Sequence, residues 1–136
     1  MTQEDKELLL TDLCARTLYG VICLNKVTKE VYKLCYVTSY NEISLDDRTA
    51  IFYSPDDIIP YLRPMSSMTE EERLDLASIG VYIDKGDIIF DAYDYRDISL
   101  LYIITPYINW LNQHHFDYRD LISKGLALEA PKDMYI

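Results

Sequence analysis

Apolar positions change their period several times along the chain, and each change predicts an element. In Thr2–Arg16, leucines at 8, 9, 10 and 13 follow a charged first turn, and Thr2 stands three residues before Asp5 as a cap. This predicts a helix with an apolar face to cover. From Leu18 the chain turns rich in β-branched and aromatic residues. "LYGVICLN", "EVYKLCYVTSY" and "TAIFYS" predict three strands of a mostly antiparallel sheet, divided by polar turns at "KVTK" and "NEISLDDR". Both alternating sets in Val31–Tyr40 are largely apolar, which predicts a strand covered on both faces.

Prolines at 55, 60 and 64 then confine any helix to short pieces, so the stretch from Ser54 is expected to be a loop packed over the sheet. Thr69 with Glu72 makes a capping box, Glu70 and Glu71 suit the helix dipole, and Gly80 stands where a C-cap belongs. A helix over 69–79 follows. "VYIDKGDIIFDAYDY" predicts a hairpin turning at Asp84–Asp87, and "DISLLYII" reads as a further strand or the start of a helix. Thr105 and Pro106 are expected to open a helix over "PYINWLNQHHF", and "YRDLIS" to form a short last helix ending at Gly125. The sum is an α+β fold: one domain over 1–136, with a mostly antiparallel sheet of about four or five strands and about three or four helices packed on one side.

Composition narrows the function classes. A chain of 136 residues, 49% hydrophobic and 26% charged, can bury a core without disulfides or metal, and only its tails are expected to be loose. The start lacks the basic-then-apolar layout of a leader, and no apolar run approaches the roughly 20 residues of a membrane span, so a cytoplasmic protein without a membrane partner is expected. Cys14, Cys23 and Cys35 form no C-x-x-C pair and sit among apolar neighbours, which predicts reduced, buried thiols. With 13 basic and 23 acidic residues the formal net charge is −10. Phosphate contacts gain from clustered Lys and Arg, so direct nucleic-acid binding is disfavoured and a basic protein partner fits better. Only four glycines, at 20, 80, 86 and 125, leave no material for a phosphate-cradling loop, and no cofactor is expected.

Three constellations could carry chemistry. "HHFDYRD" holds both histidines, His114 and His115, beside Asp117, Tyr118 and Arg119. In a helix His114 and Asp117 would share a face, a candidate acid–base pair, while His115 would point about 100° away towards Tyr118 and Arg119. Zinc is disfavoured because paired helical ligands stand four apart. The competing reading is architectural, with histidines near a helix C-terminus and Asp117 capping the next helix by accepting from the N–H of Arg119 or Asp120. Asp84, Asp87, Asp91, Asp94 and Asp97 would form one acidic face in a helix but scatter in a hairpin, and their order does not fit a calcium loop. Tyrosine, at 13 residues, concentrates near the predicted sheet, where it suits cross-strand packing and binding surfaces alike. Tyr93, Asp94, Tyr95 and Asp97, with Tyr118 and Arg119, are the candidate contact residues.

"PYLRPMSSMTEEE" and "WLNQHHFDYRDLISKGLALEAPKDMY" resemble the two signature stretches of a family of uncharacterised small proteins of gut Bacteroidales bacteria and their phages. The likeness covers about a third of the chain. It implies a phage, prophage or mobile-element accessory protein, and no catalytic residue to carry over. Where that family has Gly this chain has Asp120, and where it has Glu-Gly this chain has Lys132 and Asp133. A left-handed backbone at 120 would survive the change, since Asp tolerates positive φ, while the tail turn would loosen. The expected function is therefore non-enzymatic binding of a macromolecule through an acidic, tyrosine-bearing surface. The alternatives are a small enzyme or nucleotide-binding protein using His114, Asp117, Tyr118 and Arg119, and a homo-oligomer.

Overall fold

In a computed structural model, which describes residues 1–90 and 97–135 and the side chains of all of these except 97–103, Thr2 accepts from the Asp5 N–H and starts helix α1, Gln3–Arg16. Its buried stripe is Leu9, Asp12, Leu13 and Arg16, the spacing of one helical face. Strands β1 (Ile22–Asn25), β2 (Val31–Val37), β3 (Ile43–Leu45), β4 (Ile58–Leu62) and β7 (Leu128–Glu129) form a five-stranded sheet in the order β3-β2-β1-β4-β7. Every pairing is antiparallel except β4 with β7. Helix α2 (Glu70–Ser78) starts with the full Thr69–Glu72 capping box, and strands β5 (Val81–Asp84) and β6 (Asp87–Phe90) make a separate two-stranded hairpin. Helix α3 is Asp97–Gln113. The α+β class, the first helix, the capped helix and the hairpin are as the sequence predicts.

Several expectations fail for physical reasons. The proline-bearing stretch is not a loop: β4 contains Pro60 and pairs with β1 and β7. Proline survives there because β7 reaches only Tyr61 and Leu62, so its missing donor falls beyond the end of its parallel partner. The strand beside β2 is Ile43–Leu45, inside the predicted turn "NEISLDDR". "TAIFYS" contributes only a bridge between Tyr53 and Ile43. Strand β2 is covered on one face only, with Val31, Lys33, Cys35 and Tyr36 exposed. Pro106 does not open a helix but lies inside α3, on its exposed side, where the apolar run on both flanks outweighs the lost donor. "YRDLIS" forms turns, not a helix. Cys23 is buried, and burial with the Asp12 charge pushes its thiol up to about 12, but Cys14 and Cys35 are exposed; all three are free.

The interior has two apolar clusters. Leu9, Leu13, Val21, Cys23, Leu34, Ile43, Ile58, Leu62 and Leu121 join α1 to the five-stranded sheet. Met68, Leu76, Val81, Tyr107, Leu111 and Phe116 join α2, α3 and the hairpin. Among the described residues no helix is long and apolar enough to cross a membrane.

Candidate functional site

The "HHFDYRD" segment runs between these two clusters, and its polar groups are largely consumed there. Helix α3 ends at Gln113, before either histidine, so the helical sharing of a face by His114 and Asp117 does not occur. His115 takes a left-handed φ of 64°, which turns the chain out of the helix. The backbone then runs beside β4: the Arg63 N–H donates to the His115 carbonyl and the Asp117 N–H to the Arg63 carbonyl, both at 2.8 Å. Asp117 is buried, and its two carboxylate oxygens accept from the N–H groups of Leu121 and Ile122 at 2.8 and 2.9 Å. It caps the following turn as the architectural reading expects, with donors one and two residues later than predicted. It does not orient His114.

Each neighbouring side chain is similarly engaged. The His114 ring stacks on Trp110 at 4.2 Å and lies 3.6 Å from the Glu72 carboxylate. Burial and the Arg63 charge hold its pKa below the usual histidine range against the pull of Glu72 and Asp75. His115 stacks on Tyr135 at 3.7 Å instead of meeting Tyr118 and Arg119, and burial with the Arg16 guanidinium pushes it down to about 4. Its Nδ1 is buried without a partner. Tyr118 donates to the Asn112 side chain, and Arg119 lies over the Tyr118 ring and reaches Asp12 at 2.9 Å. Asp12, fully buried, also holds the fully buried Arg16, which donates on to the Phe116 carbonyl. Arg63 forks onto Glu72 at 2.6 and 2.7 Å and covers the Phe116 ring; its bonds hold the Glu72 carboxyl down to about 2. The Tyr135 hydroxyl donates to the Tyr61 carbonyl and accepts from the Ile22 N–H, so the tail turn is tied down rather than loose. Asp120 has a φ of 62°, a left-handed backbone that Asp is among the few non-glycine residues to tolerate.

The stretches 60–72 and 110–135 therefore meet, but mainly as architecture. Where they also border open space, the largest of three described hollows is a cleft of about 790 Å³. Met65 and Ser66 reach it from the first stretch and Asp117, Tyr118 and Asp120 from the second. Ile83, Gly86 and Ile88 of the hairpin, Tyr107, Ile108 and Leu111 of α3, and Arg73 of α2 complete it. Tyr107 is buried, and its hydroxyl has no hydrogen-bond partner among the described residues. A mainly apolar hollow with a few polar groups is the usual form of a binding site.

The sequence-level candidates divide accordingly. Asp117 and Tyr118 line the cleft, whereas His114 and Arg119 do not, so the four do not converge on one pocket. Tyr93, Asp94 and Tyr95 lie outside the described residues, and Asp97 opens α3. Asp84 and Asp87 face each other at the hairpin end, and Asp91 and Asp94 of the acidic series lie outside the described residues; among the described residues no cluster of three metal-ligating groups occurs. Sequence reasoning missed Met65, Ile83, Ile88 and Tyr107, which signal only apolar periodicity. It also missed the buried Asp12–Arg16 pair, although both lie on the i, i+3, i+4, i+7 stripe begun by Leu9. Comparison with family models, with curated proteins and with solved structures finds no match to this chain.

Proposed function

We propose that the protein is a non-enzymatic accessory protein of a phage or mobile element that binds a protein partner through the cleft and the hairpin tip above it. One observation carries this reading: an apolar hollow of about 790 Å³ opens where the two signature stretches and the hairpin meet, while the histidine cluster beside it is engaged in packing and backbone contacts. A net charge of −10 favours a partner with a basic surface, and a nucleic-acid-binding site of a host or defence protein, approached by mimicry of phosphate charge, fits it. Three free thiols, two of them exposed, accord with a reducing cytoplasmic setting.

Affinity capture from host lysate with the intact chain and with Ile88→Ser and Ile108→Ala variants tests the reading. A specific protein should be retained by the parent chain, weakened by raised salt and lost from both variants while their circular dichroism is unchanged. Retention of the same protein by both variants would put the contact elsewhere and end the proposal.

A further inference from the structure

The hairpin exposes apolar side chains on both its faces at the tip. In its register Ile83 faces Ile88 and Tyr82 faces Ile89. Along the inner row Val81 is fully buried, Ile83 and Phe90 are half-buried, and Ile88 is 44% exposed because the cleft opens beneath it. Tyr82 and Ile89 on the outer row are 44% and 49% exposed. The core-facing row thus loses its cover progressively towards the turn, where a partner side chain would restore it.

Charge selects which partner. Asp84 and Asp87 are exposed at the tip, Asp120 is exposed on the cleft wall, and Asp117 also lines it; Arg73 on the wall lies 3.5 Å from Glu70, and Arg119, beside Asp120, is held by Asp12. A second copy would bring the same charge of −10 against this face, which opposes self-association. Resting on the binding role proposed above, we infer that the cleft takes a short protein segment in which apolar side chains are flanked by lysine or arginine. The apolar side chains enter between Ile83, Ile88, Ile108 and Leu111. The flanking cations meet Asp84, Asp87 and Asp120. Tyr107 lines the cleft, and its hydroxyl, without a partner among the described residues, is the donor for a main-chain carbonyl of the segment.

Fluorescence anisotropy with short labelled peptides on the intact chain tests this chemistry. The probes are a leucine–lysine peptide, a leucine–glutamate peptide of the same apolar pattern, and a glycine–lysine peptide. The leucine–lysine peptide should bind at least about tenfold tighter than either of the others, a difference of about 1.4 kcal/mol. Ile88→Ser and the pair Asp87→Asn, Asp120→Asn should each weaken it about tenfold, and Tyr107→Phe, which keeps the ring, about fivefold. Equal affinity for the glycine–lysine peptide would reduce the face to a charged surface and overturn the inference. So would failure of the leucine–lysine peptide to bind while a captured partner still depends on Ile88, an outcome that leaves the proposed function standing. Dimerisation of the intact chain that Ile88→Ser abolishes would assign the face to a second copy instead.

Discussion

The junction at 114–122 and the hairpin tip at 82–89 are both rich in the residue types that draw the eye in a sequence, and they end in opposite states. At the junction Asp117, Tyr118, Arg119, Arg63, Asp12 and Arg16 satisfy one another or the backbone, and the histidine rings are stacked. At the tip apolar side chains face outward and a tyrosine hydroxyl beneath them has no partner. Burying a polar group costs free energy unless it is paired, so the junction, where every buried charge is paired and only Arg16 Nη1 and His115 Nδ1 go without a partner among the described residues, reports architecture, while exposed apolar surface reports a contact still to be made. Residue type alone does not distinguish the two.

The sharpest way to break this contrast is at Asp12. It is fully buried and the counter-charge of both Arg16 and Arg119, so Asp12→Ala should cost about 3–5 kcal/mol by leaving buried cations unpaired. Urea unfolding reads this directly, and a loss below about 1 kcal/mol would show that the network does not hold α1 to the junction.

Next comes pH. His115, pushed down to about 4, binds its proton less readily when folded than in the unfolded chain, where histidine titrates near about 6.5. Its contribution is therefore complete above about pH 6.5 and is lost as pH falls through about 4, roughly 3 kcal/mol in all. Glu72, held down to about 2, adds a second loss between its ordinary range and that value. His115→Asn, which keeps the left-handed backbone, should flatten only the upper leg of a stability–pH profile. If the upper leg is unchanged, His115 is not its source.

Asp117→Ala should cost about 2–3 kcal/mol, because two amide donors lose a charged acceptor in a buried turn. A smaller effect is expected on the other side of the contrast: Ile88→Ser and Tyr82→Ser, at exposed positions, should shift the thermal midpoint little, within about 0.5 kcal/mol. Should either melt the fold as Asp12→Ala does, the tip would be structural and the two regions would no longer differ in kind.

Local signals made much of this fold legible. Thr2, the Thr69–Glu72 box and the Asp-Lys-Gly-Asp turn each specify their element within a few residues. What escaped depends on distant partners: β4 tolerates Pro60 only because β7 is short, β3 was chosen over "TAIFYS" by pairing, and α3 runs through Pro106 because Tyr107 and Leu111 beyond it bury. At the site, the capping role of Asp117 was legible from its spacing, whereas the stack of His115 on Tyr135 spans residues with no sequence relation. The cleft escaped for the same reason, since its wall draws on residues from Met65 to Asp120.

The Tyr135 hydroxyl, bridging Ile22 on β1 and Tyr61 on β4, also sets an order of events in the life of the chain. Arg16 and Asp12 of helix α1 find their distant partners only at the Phe116 carbonyl and the Arg119 guanidinium, and the last sheet partner arrives at 128. The first helix and strand thus complete part of their hydrogen bonding only with groups 100 to 113 residues away, an arrangement of high sequence separation that slows folding. A nascent chain stalled short of Leu128 would present an unpaired β4 edge, and would depend on chaperones or protease clearance until synthesis resumed.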